Sequence, residues 1–293
     1  MLKVVLIWNV GNHKRKYLKI TGTYLENLTS HPSEQVVYFW GEWEAQSHVT
    51  PINDGSPKNL PNYFFEPFYS LPIPFNGCNT DPFVFGDQFY YCICKQGHYP
   101  SLRKIEKGDM ILFGSNLNQQ FVLDTVFVVK DSNEYDFQDI DSIKSEYNEV
   151  FYDVSLLPLN NTFAVKPKDI IDDTERSGCI IPKSGDDETD YKPTCHPSGD
   201  LKNKIYKAAM YNDRHDFDDI FSFSPCLPEP FGKEGFARPS LDLPFISQGL
   251  TQGIKIIKSK DVKTIWLQII NEVLKQGLCI MIKTDLPEKV QNL

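Results

Sequence analysis

The chain has 293 residues, 41% of them hydrophobic and 24% charged, which excludes a wholly disordered polymer and leaves room for one elaborated domain or two small ones. Its formal net charge of −9 argues against a protein that grips duplex nucleic acid through many phosphate contacts, since that mode needs a broad basic surface. The 20 Phe and 14 Tyr make it rich in aromatic rings, and most such rings fill core.

In chain order, Lys3 to Trp8 reads as a buried strand, too short to span a membrane. His13-Lys14-Arg15-Lys16 with Lys19 is the one dense basic cluster, and it reads as a solvated turn or a local phosphate clamp. Gln35 to Trp40 is a second strand. It runs into Trp40-Gly41-Glu42-Trp43, two indoles around a glycine that permits close approach, with Glu42 able to accept from an exocyclic amine. Trp40 as core strand and Trp43 as a partly covered rim ring is the alternative for this stretch. Asn79, Thr80, Asp81 and Asp87 offer further donors and acceptors, although Asn79 to Asp81 also fits a simple Asx turn before Pro82.

Residues 78–130 are the richest segment. Phe89 to Cys94 is an expected strand. Lys107-Gly108-Asp109 signals a turn, and Met110 to Phe113 and Phe121 to Val129 are apolar runs around a polar loop, so an antiparallel hairpin is expected. Strict alternation puts Phe121, Leu123, Thr125, Phe127 and Val129 on one face, and Val122, Asp124, Val126 and Val128 on the other. Asp124 is then a carboxylate among valines. It is either a site residue or an Asp at a strand bend reaching a backbone N–H.

The remaining expected strands are Phe151 to Leu156, Ile205 to Met210, Ile254 to Ile257 and Leu278 to Ile282. Asp131 to Glu149 reads as an exposed linker or short helix, and Asp172 to Asp200 as an irregular insertion or lid. Asp261 to Gln276 is the one clear helix: Val262, Ile265, Trp266, Ile269, Val273 and Leu274 recur at helical spacing, with Asp261 as cap and Gly277 as stop.

The turn at Lys107 to Asp109, "ILFGS" and "FVLDTVFVV" together resemble the PUA-like superfamily of small barrels, whose EVE, YTH and ASCH members bind or process modified nucleobases. "NTDPFVFGDQF" (Asn79 to Phe89) and "GFARPSLDL" (Gly235 to Leu243) resemble nucleotide-modification-associated domains predicted around bacterial and phage DNA modification systems. The resemblance implies a mostly β, α+β fold, with a PUA-like barrel at 78–130 elaborated by extra strands. Because strands lie on both sides of the Asp172 to Asp200 insertion and neither flank carries a self-sufficient motif set, a single domain spanning 1–293 is expected. The resemblance also implies binding of a modified base, a nucleotide or a short single strand in a modification or phage-defence setting.

The sequence holds no Gly-rich phosphate loop, no dinucleotide fingerprint, no nucleophile-elbow serine and no zinc-protease helix, so no cofactor is expected. Seven cysteines lack framework spacing and no secretory signal is evident, which leads to the expectation of a reducing cytoplasm. Cys78, Cys92, Cys94 and His98, and Cys179, Cys195 and His196, lack zinc-knuckle spacing, so no metal is expected. The expected ligand site is Trp40, Glu42, Trp43, Asn79, Thr80, Asp81, Asp87 and Asp124. Two other classes stay open. One is a hydrolase drawing on Lys95, Lys107, Lys130, Thr125, Asp109 and Asp124, as ASCH-like relatives imply; the other is an interaction protein without a small ligand.

Overall fold

A computed structural model describes residues 2–9, 15–52, 60–71, 73, 79–97, 99–117, 120–158, 180–181, 192–193, 203–244, 246 and 253–291. The described chain is α+β and mostly β. Its strands are β1 (Leu2–Asn9), β2 (Lys16–Leu25), β3 (Ser33–Gly41), β4 (Ser47–Pro51), β5 (Tyr63–Tyr69), β6 (Tyr90–Tyr91), β7 (Met110–Leu117), β8 (Gln120–Tyr135), β9 (Ile180–Ile181), β10 (Lys192–Pro193), β11 (Asn203–Ala208), β12 (Ser224–Pro228), β13 (Ile254–Ser259), β14 (Cys279–Thr284) and β15 (Glu288–Lys289). A one-turn helix, α1 (Glu149–Phe151), and one long helix, α2 (Val262–Lys275), complete the regular elements used below.

Two sheets share the work. One has the strand order β13-β1-β7-β8-β11-β6; the other has the order β14-β12-β3-β2-β5-β15, with β4 on β5. In the second sheet β14 also pairs with β2, so β2, β3, β12 and β14 close into a four-strand ring. The expected hairpin forms as β7 and β8, antiparallel from Met110 opposite Val128 to Leu117 opposite Gln120. It lies in the six-stranded sheet rather than in the closed ring. The sheets meet where Val126 of β8 exchanges backbone hydrogen bonds with Phe223, just before β12, at 2.8 and 2.9 Å.

The hairpin is not regular. Phe113 faces Thr125 but Gly114 faces Leu123, which leaves Asp124 as the extra residue of a β-bulge. A bulge shifts side-chain parity by one, so Phe121 and Leu123 share a core cluster with Val126 and Val128, while Phe127 and Val129 join the other. This corrects the strict alternation read from sequence. Gly114 permits the bulge: a Cβ there would lie 2.1 Å from the Val122 carbonyl oxygen.

Three other expectations change. Phe151 to Leu156 is helical, because the Asn148 side chain caps the segment by accepting the Phe151 N–H at 2.8 Å, and the turn then widens through Tyr152–Leu156. Phe151 stacks on Tyr90 at 4.3 Å, so the apolar run buries itself as a helix. The strand expected over Phe89 to Cys94 is only Tyr90–Tyr91, followed by a turn. Asp131 to Tyr135 is not a linker but the end of β8, pairing with β11, and a 3-10 segment follows at Phe137–Glu146. The Asp172 to Asp200 insertion lies outside the described residues, except that β9 pairs antiparallel with β10.

Helix α2 forms as its periodicity predicts. Asp261 accepts the Thr264 N–H at 2.8 Å as N-cap, Gly277 ends the helix with φ +76°, and Trp266 is buried with its indole N–H on the Phe221 carbonyl. No helix among the described residues is long and apolar enough to cross a membrane.

Burial lifts the phenols of Tyr17, Tyr91, Tyr135 and Tyr206 above their ordinary value. Their folded values exceed the unfolded value of about 10, so their contribution to stability is complete below that pH and is lost as pH rises through the folded values. Alkaline titration should therefore show these phenolates appearing together with loss of circular dichroism, not before it.

Candidate functional site

The β8 bulge turns Asp124 into a place where two guanidinium groups converge. After β12 the chain passes through Gly235 and runs alongside β8: the Leu123 N–H donates to the Pro239 carbonyl at 2.8 Å and the Leu241 N–H to the Phe121 carbonyl at 3.3 Å. Pro239 biases Arg238 toward an extended backbone. This run places Arg238 on the bulge, where Nε donates to Asp124 Oδ1 at 2.8 Å, while one terminal nitrogen donates to Asp124 Oδ2 at 2.5 Å and to Ser115 Oγ at 2.8 Å.

From the other side, Arg15, just ahead of β2, donates through Nε to Asp124 Oδ2 at 2.9 Å and through a terminal nitrogen to Glu42, just after β3. Side-chain exposure is 4% for Arg15, 2% for Asp124, 3% for Glu42 and 8% for Arg238. Four charges thus leave water together. Two cations and two anions balance, and the bidentate Arg238–Asp124 geometry is the kind that offsets desolvation.

Of the expected site residues, Glu42 and Asp124 belong to this cluster and Trp40 stands beside it. The Trp40 ring is partly exposed, its indole N–H donates to the Phe236 carbonyl at 2.8 Å, and the Arg238 guanidinium carbon lies 6.0 Å from its centroid. Asp81 and Asn79 adjoin by way of the backbone. The Asp81 N–H reaches Glu42 at 3.3 Å and the Asn79 N–H reaches Glu44 at 2.9 Å, while the Asn79 side-chain nitrogen is buried without a partner.

The Asp81 carboxylate is engaged by backbone. It gathers the N–H groups of Cys92, at 2.9 Å, Ile93, at 2.8 Å, and Cys94, and so holds the turn after β6. Burial pushes its pKa up and these three donors pull it back. Thr80 is fully buried, its hydroxyl accepting the Glu44 N–H at 3.2 Å and its carbonyl accepting the Ser155 hydroxyl at 2.6 Å.

Two expected residues leave the site. Trp43 is not a rim ring: it is fully buried, edge-on to Phe85 at 5.1 Å, with its indole N–H on the Gln46 carbonyl. Glu42, its neighbour, turns to Arg15 instead. Asp87 is exposed and pairs with Lys283 of β14 at 2.6 Å.

In the hydrolase set, four side chains have partners outside the set. Lys107 lies over the Phe217 ring, Lys130 pairs with Asp213, Thr125 shares a hydrogen bond with Ser224, and Asp109 binds Lys3 and the Glu106 N–H. Among the described residues no group of three or more His, Cys, Asp or Glu is arranged to hold a metal ion; Cys78, His98, Cys179, Cys195 and His196 lie outside them.

Sequence reasoning missed Arg238 and misread Arg15. The first stood inside the quoted "GFARPSLDL", where an arginine before proline in an apolar run was the available signal. The second was grouped with basic neighbours as a solvated turn or phosphate clamp, and its pairing partners lie 27 and 109 positions away. His13 and Lys14 lie outside the described residues.

Removing one member of a buried ion set leaves the others uncompensated. Asp124→Asn should therefore lower stability by about 3–5 kcal/mol in chemical denaturation. The loss should persist in high salt, because buried pairs are little screened. Trp43→Ala should cost about 3–5 kcal/mol in the same assay, as expected for a core indole and not for a rim ring.

No family model, curated protein or solved structure matches the chain.

Proposed function

We propose that the chain binds a nucleobase or nucleoside-like ligand on the face of Trp40, with the neighbouring charge cluster supplying the polar groups that orient it. The observation that carries this reading is the Trp40 ring: partly exposed, held in orientation by its bond to the Phe236 carbonyl, and adjacent to Arg238. A fixed aromatic plane is what base stacking needs, and its orientation need not be re-ordered on binding.

The cluster is charge-balanced, and the chain carries a net charge of −9. Both favour a neutral base or a short single strand over an extended duplex held by its phosphates. The unpartnered Asn79 side-chain nitrogen, close in sequence to Asp81 and so to Glu42, is a donor that an acceptor on such a ligand would satisfy. A PUA-like fold and a setting in nucleic-acid modification, as the sequence resemblance implies, belong to the same proposal.

The test is titration of free nucleosides, modified nucleosides, short single strands and a duplex against the wild type, Trp40→Ala and Trp40→Phe. Trp40→Ala should weaken binding of the base-bearing ligands by about 1–3 kcal/mol, with partial recovery in Trp40→Phe. Equal affinity in wild type and Trp40→Ala, or no binding by any of these ligands, overturns the reading.

A further inference from the structure

Two free thiols face each other across the closed ring of strands. Cys226 of β12 stands directly opposite Cys279 of β14 in an antiparallel ladder. Residues opposed in this way have Cα atoms about 4.5–5.5 Å apart, inside the range of about 4.4–6.8 Å that a disulfide spans. Their side chains also share one face of the sheet. Cys226 is fully buried in an apolar cluster, and the partly buried Cys279 packs against that same cluster.

The backbone under both residues is held from two sides. Strand β12 lies between β14 and β3, with Cys226 opposite Phe39 as well, and β14 lies between β12 and β2, with Ile280 opposite Leu25. A bond between the two sulfurs therefore calls on side-chain rotation and not on movement of a strand. The other described free thiols, Cys92 and Cys94, are neighbours along one chain segment at the turn after β6 and have no such opposition.

We propose that Cys226 and Cys279 form a reversible cross-strand disulfide that locks β14 onto β12 when the surroundings turn oxidising. The oxidant is a low-molecular-weight disulfide. Cys279 is the entry point, because it is the partly exposed member of the pair, and the buried Cys226 resolves the intermediate.

The exchange balances in two steps. The Cys279 thiol gives its proton to water, its sulfur attacks one sulfur of the oxidant, and the oxidant's S–S bond breaks to release one thiolate. The Cys226 thiol then gives up its proton, and its sulfur attacks the Cys279 sulfur of the mixed disulfide. The second thiolate leaves. The protein loses two electrons and two protons, and the oxidant gains them as two thiols.

The surroundings set the pace of this reaction. Burial, and then Glu26, push the Cys279 thiol up to about 11, while burial and then Cys279 raise the Cys226 thiol. Thiolates are scarce at neutral pH, so the bond forms slowly. The reduced pair also gains nothing from ionising, which makes the bond durable once formed. The link closes a loop that contains β13 and α2, and it is independent of the stacking face of Trp40.

The test is incubation of the native protein with oxidised glutathione, followed by non-reducing peptide mass spectrometry and thermal melting. A peptide pair joined through Cys226 and Cys279 should appear, the melting temperature should rise by about 5–10 °C, and dithiothreitol should reverse both. In Cys226→Ala the reaction should stop at a glutathione adduct on Cys279. In Cys279→Ser neither the link nor the adduct on Cys226 should form. Both variants keep the other five cysteines, so oxidation elsewhere appears equally in all three proteins. Absence of the Cys226–Cys279 link from oxidised wild type, a link that leaves the melting temperature unchanged, or an equal rise in either variant overturns the proposal.

Discussion

A carboxylate buried in the middle of a β-strand has to be neutralised, and here that requirement organises the joint between the two sheets. Asp124 occupies the one position in the β7–β8 hairpin where the ladder skips a residue. The bulge gives it space and releases it from the regular alternation. Arg15 and Arg238 then arrive from segments on either side of the hairpin in sequence, and Glu42 balances the second cation. The start of β2, the end of β3, the middle of β8 and the run after Gly235 are all fixed by this one set of bonds. Hydrophobic burial supplies the bulk of the stability, but apolar contacts are non-directional. The ion set specifies which segments meet.

The same arrangement accounts for the division of labour among the polar residues around it. Asp81, Thr80 and Asp109 are each consumed by backbone N–H groups or by a lysine, and so act as internal braces for turns. Glu42 and Asp124 are consumed by arginines. Among the described residues beside the cluster, the exposed part of Trp40 and the Asn79 side-chain nitrogen remain uncommitted.

Local pattern carried the fold a good distance. Helix α2 was legible because an amphipathic period, a capping Asp and a terminating Gly all agree. The hairpin was legible because two apolar runs flank a turn. Strand β12 was not, since Ser224-Pro225-Cys226-Leu227-Pro228 contains two prolines, which ordinarily argue against a strand with neighbours on both sides. Strand β2 was hidden because it begins inside a basic cluster that reads as surface. The helix at Glu149 to Leu156 was lost because an unbroken buried run has no period to read. The site was half legible for a similar reason. Glu42, Asp124 and Trp40 stood out by residue type, whereas Arg15 and Arg238 owe their role to a shared partner, Asp124, more than 100 positions distant from each in sequence, which no local window contains.

The closed ring of β2, β3, β12 and β14 has a temporal consequence. Its members span Lys16 to Thr284, and the two pairings that complete it, β12 with β14 and β14 with β2, depend on a strand far from β2 in sequence. During synthesis β2 and β3 can pair early as neighbours, but the edge of β2 that β14 covers waits until residues 279–284 have left the ribosome. Loop closure over such separations is entropically slow, and an unfilled edge is a template for foreign strands. The early hairpin carries Tyr17, Leu18, Val37, Tyr38 and Phe39, all of them buried in the finished protein. The molecule therefore passes through its greatest exposure to misassociation just before β14 arrives, and holdase chaperones would find their best target on the β2 edge in that interval.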